Sequence, residues 1–214
     1  MRSQCHQDGL ASDYVTKSPN NQLNILELTI LLWAFLFASD IVSFSTNQLL
    51  AHLIPGNPVL FQSINFLTGS QQKTHSDSIH MTTFPLGGLL GVWIALEDID
   101  ETNGALHYYL GSHKLPYYLN SDYDNVGTKW KIGPKDYTHY EKMMEQKIEE
   151  NKLEKTIFRA KKGDLLIWHA NLFHGGEPQA DKSKTRKSMV FHYYDDQCIC
   201  YHEITQRPAL MDVK

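Results

Sequence analysis

The sequence has few cysteines and no dense block of basic residues, and each shortage excludes a class of protein. Its 214 residues include three cysteines, Cys5, Cys198 and Cys200. An odd count without regular spacing does not build a disulfide framework. Lysine and arginine number 20 against 24 aspartates and glutamates, a net charge of -4. This balance argues against nucleic acid or an anionic membrane surface as the main partner.

Apolar runs of membrane-spanning length are also missing. The most apolar stretch, residues 25–42, is bracketed by Glu27 and Asp40, and its apolar middle is shorter than the ~20 residues that a spanning helix needs. We therefore predict a buried helix there and no membrane partner. The first residues lack the apolar core and cleavage site of a signal peptide, which favours a cytoplasmic location.

Three common catalytic motifs are absent as well. The sequence contains no Gly-x-x-x-x-Gly-Lys-Ser/Thr loop, no Gly-x-Ser-x-Gly and no His-Glu-x-x-His. Their absence excludes nucleotide hydrolases, serine hydrolases and zinc proteases of those types.

What the sequence does contain is a series of short apolar segments separated by turn residues. Polar residues 1–22 predict an irregular N-terminal segment, and residues 23–214 are enough for a single domain. Helices are predicted over residues 25–37, 45–54 and 134–152, the last polar and outside the core. Strands are predicted over residues 58–67, 86–99, 105–110, 156–160, 164–169, 186–194 and 199–204. Because no alternation of strands and helices is visible, we expect a mainly β sandwich or barrel.

One His-x-Asp pair follows a predicted strand and is a candidate metal site. His75 and Asp77 are two residues apart, so in an extended segment their side chains point to the same side. A second histidine would complete a two-histidine, one-carboxylate set, which suits Fe(II) and leaves coordination positions open. His6 and Asp8 repeat the pattern, but they lie near the terminus without a rigid support.

Two histidines compete for the third ligand position. His169 ends an apolar strand, whereas His174 precedes Gly175 and Gly176, which leave space around its ring. We favour His174 as the ligand and expect His169 in the core or behind the ligands.

Arg186 opens a predicted strand and shares a face with Ser188 by alternation. If that face looks inward, the guanidinium needs a carboxylate partner, which residues 186–194 do not contain. The carboxylate of a ligand would fit, held by a bidentate fork. If the face looks outward, Arg186 is a surface cation, and alternation alone leaves both explanations open.

A set of short motifs follows in order along the chain: Gly-Ser-Gln-Gln-x-x-His75-x-Asp77, Gly-Val-Trp93-Ile-Ala-Leu-Glu97-Asp98, Asn103-Gly104-Ala-Leu, Gly111-Ser112-His113, Gly163-Asp164-Leu-Leu-Ile, His174-Gly-Gly and Thr-Arg186. Together these motifs resemble the phytanoyl-CoA dioxygenase family of Fe(II)/2-oxoglutarate oxygenases. The resemblance extends over residues 59–194. Each motif is modest by itself, but the set in this order is specific.

The resemblance implies a mainly β fold, the cupin-like double-stranded β-helix or jelly roll, with Fe(II), 2-oxoglutarate and O2 as cofactor and cosubstrates. It implies that iron is held by three residues, His75, Asp77 and His174. The residues expected around 2-oxoglutarate are Arg186, on its distal carboxylate, and Gln62, Trp93 and Ser188.

The activity that the resemblance implies is hydroxylation of a small organic or lipid-like metabolite, with release of succinate and CO2. Two alternatives stay open. A zinc-dependent hydrolase could use the same three ligands with an activated water, and a catalytically inactive or truncated jelly roll could bind a metal or ligand without turnover. Arg186 argues against the zinc-dependent hydrolase, since a hydrolase needs no carboxylate clamp beside its ligands. The sequence does not indicate an oligomeric state.

Overall fold

The computed structural model describes residues 48–127 and 133–202, together with the backbone of two further residues, Arg207 and Pro208. Its strands are β1 (Pro58–Phe66), β2 (Met81–Phe84), β3 (Leu89–Ala95), β4 (Leu106–Tyr109), β5 (Lys155–Phe158), β6 (Leu165–His169), β7 (His174–Gly176), β8 (Ser188–Asp195), β9 (Ile199–His202) and β10 (Arg207–Pro208). Helix α1 covers Tyr137–Glu150, and short 3₁₀ turns cover Asp77–Ile79, Ser112–Lys114 and Asn120–Tyr123. Seven of these strands lie within or close to the segments predicted from alternation and turn residues, whereas β2, β7 and β10 were not predicted.

The helix predicted over residues 25–37 and the domain boundary predicted at residue 22 lie outside the described residues. Of the helix predicted over residues 45–54, residues 48–50 are helical and turns follow. Among the described residues, no helix has the length and hydropathy that a membrane crossing requires.

The strands form three antiparallel sheets. One has the order β1-β8-β3-β6, a second the order β5-β4-β7 and a third the order β10-β9-β2. Sequence neighbours are often not sheet neighbours, because β8, late in the chain, lies between β1 and β3. The predicted mainly β architecture is confirmed.

Strand register places the side chains of the four-stranded sheet in rows. In one row Gln62, His192, Gly91 and Trp168 are partners in turn across β1, β8, β3 and β6. The next row on the same face, two residues further along each strand, consists of Ile64, Val190, Trp93 and Leu166. Because strand side chains alternate between faces, Ser188 shares this face too. This inner face therefore carries three of the residues singled out in the sequence, Gln62, Trp93 and Ser188.

The inner face packs against the β5-β4-β7 sheet and forms the main hydrophobic core. Trp93 packs its ring edge-on against Phe158 of β5, with 6.0 Å between ring centroids. The other buried members of this core are Ala95, Ile99, Ala105, Leu106, Ala160, Trp168, Leu172 and Val190. Burial of apolar surface, worth about 25 cal/mol per Å², holds the two sheets face to face.

Helix α1 lies against a second core, contrary to the expectation that its polar sequence keeps it outside. It begins after Asp136, whose carboxylate accepts a hydrogen bond from the Thr138 N–H at 3.0 Å. Its buried stripe consists of Tyr140, Met143 and Met144. These side chains pack with Phe173, the residue before β7. Positions i, i+3 and i+4 share one face of a helix, so three residues suffice to attach an otherwise charged helix.

Candidate metal centre

Three buried side chains converge on one point: His75, Asp77 and His174. Their ligand atoms all lie within 4.8 Å of one another. The Asp77 Oδ1 atom lies 3.8 Å from Nε2 of His75 and 3.5 Å from Nε2 of His174. His75 and His174 form an antiparallel bridge, with both N–H to O distances at 2.9 Å. The structure thus brings together the three residues that the sequence singled out.

Both histidines are held in the tautomer that a metal ligand requires. Nδ1 of His75 donates to the Lys73 carbonyl oxygen at 2.9 Å. Nδ1 of His174 donates to the Leu172 carbonyl oxygen, also at 2.9 Å. A carbonyl oxygen can only accept, so Nδ1 carries the proton and the Nε2 lone pair faces Asp77. In each case the acceptor belongs to the residue two positions earlier.

Electrostatics favour an anionic Asp77 carboxylate beside a neutral His75 imidazole. Burial opposes ionisation of Asp77, but His174, His192 and His75 outweigh it and hold the pKa of this carboxyl well below its usual range. Burial, and then His174 and His80, lower the pKa of His75 well below 6.5. A divalent cation needs its ligands deprotonated, and the pKa shifts of Asp77 and His75 favour that state near neutral pH.

Two residues that sequence reasoning missed contact the other oxygen of the carboxylate. Trp168 Nε1 donates to Asp77 Oδ2 at 2.7 Å, and His192 Nε2 lies 3.5 Å from the same oxygen. Alternation could have found both, because Trp168 precedes the outward-facing His169 and His192 shares a face with Ser188. What alternation could not supply is their convergence on Asp77.

His169 lies on the opposite face of β6, away from this cluster. Its Nδ1 accepts a hydrogen bond from the Asn171 N–H at 3.1 Å, and its ring centroid lies 6.3 Å from those of Tyr117 and His113. It does not belong to the ligand group. His6 and Asp8 lie outside the described residues.

Arg186 is buried, so the interpretation of this residue as a surface cation is wrong. The side chain is 1% exposed, and burial lowers the pKa of its guanidinium to about 10. One guanidinium N–H donates to Ser188 Oγ at 2.9 Å, and the guanidinium carbon lies 5.3 Å from the Phe66 ring centroid and 6.0 Å from that of Trp93. The Nε atom has no partner among the described residues, and no carboxylate among them pairs with Arg186.

The other residues expected around the cosubstrate lie in two different places. Ser188 and Trp93 are buried beside Arg186, and the Trp93 Nε1 donor has no partner within the described part of the chain. Gln62 is half-buried on β1, in the row of His192 and therefore nearer the ligand cluster.

Helix α1 braces the segment that carries the first two ligands. The Tyr140 hydroxyl accepts a hydrogen bond from the Ser76 N–H at 3.0 Å, between His75 and Asp77. Tyr137 stacks on His80, with 5.3 Å between centroids, and its hydroxyl lies 3.1 Å from Nε2 of that ring. The polar helix is thus tied to the site by two tyrosines.

Comparison with known proteins identifies one family. A sequence model described as phytanoyl-CoA dioxygenase (PhyH) matches residues 11–188. The "Phytanoyl-CoA dioxygenase domain-containing protein 1" of Danio rerio is 41% identical over 61 residues, which is 27% of this chain and 21% of that protein. The "Phytanoyl-CoA dioxygenase, peroxisomal" of Bos taurus is 25% identical over 135 residues, 60% of this chain and 35% of that protein. The matches span a fifth to a third of the relatives' length.

Two solved structures with a similar fold are an α-ketoglutarate-dependent protein and a protein bound to 2-oxoglutarate. The α-ketoglutarate-dependent epimerase SnoN from nogalamycin biosynthesis matches with a TM-score of 0.51 and 19% identity, over 73% of this chain and 56% of that one. EctD from S. alaskensis, solved with 2-oxoglutarate and 5-hydroxyectoine, matches with a TM-score of 0.51 and 17% identity, over 69% and 48%. At such identities the likeness shows the fold, and it confirms the predicted jelly roll.

Proposed function

This chain belongs to the phytanoyl-CoA dioxygenase family, and on that premise we propose that it is an oxygenase dependent on Fe(II), 2-oxoglutarate and O2. Its substrate is a small organic or lipid-like metabolite that becomes hydroxylated, with succinate and CO2 as co-products. When bound, the iron supplies the redox chemistry that activates O2. The remaining tasks belong to side chains of this chain.

The donor set of the metal cluster fits Fe(II). His75 and His174 present their Nε2 atoms, because Nδ1 of each ring is engaged by a carbonyl oxygen, and Asp77 presents one carboxylate oxygen. This combination of ligands suits non-heme Fe(II) and leaves positions for a chelating cosubstrate and O2. Zn²⁺ accepts the same donors, so the cluster alone does not separate an oxygenase from a zinc hydrolase.

Arg186 is the single observation that carries the proposal. A guanidinium buried to 1% exposure without a carboxylate among the described residues is costly to maintain. Its Nε and the Trp93 Nε1 are unpartnered donors within the described part of the chain, and both residues face the interior of the sandwich. The distal carboxylate of 2-oxoglutarate would satisfy these donors, with Ser188 orienting the guanidinium. A zinc hydrolase has no use for such a clamp.

The class of substrate is proposed no more narrowly than a small molecule. One neighbour with this fold is an epimerase from nogalamycin biosynthesis, and another was solved with 5-hydroxyectoine. The fold therefore does not single out one substrate. The predicted cytoplasmic location stays a prediction.

Binding of 2-oxoglutarate by Arg186 variants tests the proposal. Removing one member of a buried charge pair costs roughly 2–5 kcal/mol, which corresponds to roughly thirty-fold to several-thousand-fold weaker binding. We expect a loss in this range for Arg186→Ala and a smaller loss for Arg186→Lys, because an ammonium cannot copy the planar fork. The measurement is anaerobic calorimetry with Mn(II) in place of Fe(II), followed by a succinate assay with Fe(II).

Lys187→Ala is the matched control. Lys187 follows Arg186 in the chain, but its side chain is 46% exposed and lies 4.0 Å from Glu97, so its loss should leave 2-oxoglutarate binding unchanged. If Arg186→Ala binds 2-oxoglutarate as the parent does, the argument that favours an oxygenase over a zinc hydrolase is lost.

A further inference from the structure

The two oxygens of the Asp77 carboxylate have different neighbours. Oδ1 faces the Nε2 atoms of His75 and His174, whereas Oδ2 faces Trp168 and His192. We propose that Trp168 and His192 are positioning residues that occupy Oδ2 and so restrict Asp77 to one bond with the metal. This inference rests on the proposed metal site and adds two residues to it.

The donors on Oδ2 have an unambiguous polarity. Trp168 Nε1 can only donate, and a carboxylate can only accept. His192 Nε2 lies 3.5 Å from the same oxygen, and it interacts favourably with a carboxylate oxygen only when it carries a proton. The side chains of Trp168, His192 and Asp77 are all at least nine-tenths buried, where hydrogen bonds are stronger than in water.

Gly91 is what allows both rings to reach the carboxylate. In the row across the sheet it lies between His192 and Trp168, paired with each. A Cβ at this position would lie 2.4 Å from Cε2 and 2.6 Å from Nε1 of Trp168. The indole therefore occupies the space that a side chain on β3 would fill. The absence of that side chain is a requirement of the contact with Asp77.

The consequence concerns the positions left open on the metal. A carboxylate that binds through both oxygens takes up one more coordination position than a carboxylate that binds through one. A chelating cosubstrate and O2 need those positions. With Oδ2 held by Trp168 and His192, Asp77 has one oxygen to offer, and the open positions are preserved.

Mn(II) binding to metal-stripped protein without 2-oxoglutarate tests the inference separately from turnover. We expect Trp168→Phe, which keeps an aromatic ring but removes the donor, to weaken Mn(II) binding by roughly 10- to 100-fold. His192→Leu should also weaken it, and His192→Gln, which retains a donor, should restore most of the loss. Electron paramagnetic resonance gives the affinity, and line broadening in ¹⁷O-labelled water counts the exchangeable waters. We expect the bound metal of Trp168→Phe to carry one fewer water than the parent's.

Trp93→Phe is the matched control. It also removes an indole N–H from the inner face of the sheet, but that N–H does not contact Asp77. It should bind Mn(II) as the parent does. A purely structural role of Trp168 would lower the melting temperature of the metal-free protein without changing the number of waters.

The outcomes separate this inference from the proposed function. If the parent binds no Mn(II), the metal site fails and the positioning role fails with it. If the parent binds Mn(II) and both Trp168→Phe and His192→Leu match it, the positioning role alone is overturned. If Trp168→Phe does not fold, the His192 pair decides, and equal affinities of its Leu and Gln variants refute the role.

Discussion

The ring of His80, which is only partly exposed, makes the stability of this protein fall at mildly acidic pH. Its pKa is lowered from 6.5 to about 4, chiefly by burial. Well above pH 6.5 the ring is neutral in the folded and unfolded chains and adds no pH dependence. As the pH falls from 6.5 towards 4, the unfolded chain takes up a proton that the folded chain resists, so stability falls.

The size of this effect follows from the two pKa values. A shift from 6.5 to about 4 corresponds to about 3 kcal/mol once the pH is well below 4, at about 1.4 kcal/mol per pKa unit. Between pH 7.5 and pH 5, the contribution of His80 to the free energy of unfolding falls by about 2 kcal/mol. His80→Gln keeps a polar partner for Tyr137 and Gln72 but cannot titrate. Its stability should therefore fall by about 2 kcal/mol less than that of the parent over this interval.

Urea unfolding at pH 7.5 and pH 5, in the presence of a chelator, measures this difference. His52→Gln is the control, because His52 is exposed and its variant should follow the parent at both pH values. A His80→Gln variant with the parent's pH dependence would show that burial of this ring does not oppose its protonation, and the argument would fail.

Two further substitutions test packing around the site. Gly91→Ala places a methyl group 2.4 Å from the Trp168 ring and should lower the free energy of unfolding by roughly 1–3 kcal/mol. It should also weaken Mn(II) binding. A melting temperature equal to the parent's would contradict this expectation. Met144→Ala removes a fully buried side chain of α1 and should cost roughly 2–5 kcal/mol in urea unfolding. Its control, Glu145→Ala on the exposed face of the same helix, should stay within about 0.5 kcal/mol of the parent.

The candidate ligands could be found in the sequence because their signals are local. His75 and Asp77 are two residues apart, and His174 is marked by the glycines after it. The turns and apolar alternation that bound the strands are local as well. Backbone geometry over a few residues determines all of these features.

Helix α1 shows where local signals mislead. Its many charged residues predict a solvated helix, and most of them are exposed. Its attachment depends on Tyr140, Met143 and Met144, and on a tyrosine hydroxyl that contacts Ser76 about sixty positions earlier. Composition averages over a helix, whereas packing depends on which few residues face the core.

Arg186 needed the tertiary structure for a different reason. Alternation pairs it with Ser188 on one face, but which face is buried depends on the sheet that packs there. The β5-β4-β7 sheet packs on the face of β8 and β3 that carries Val190 and Trp93, and this packing decided that the face of Arg186 and Ser188 looks inward.

By itself, then, the sequence determined the β-rich architecture, the two-residue spacing of His75 and Asp77, and the histidine beside Gly175. Only the tertiary structure decided which oxygen of Asp77 faces the histidines and which faces Trp168, 91 residues away in the chain. The physical reason is that local conformation follows from neighbouring residues. The convergence of Trp168, His192 and Asp77 requires the register of three strands and a glycine that leaves them room.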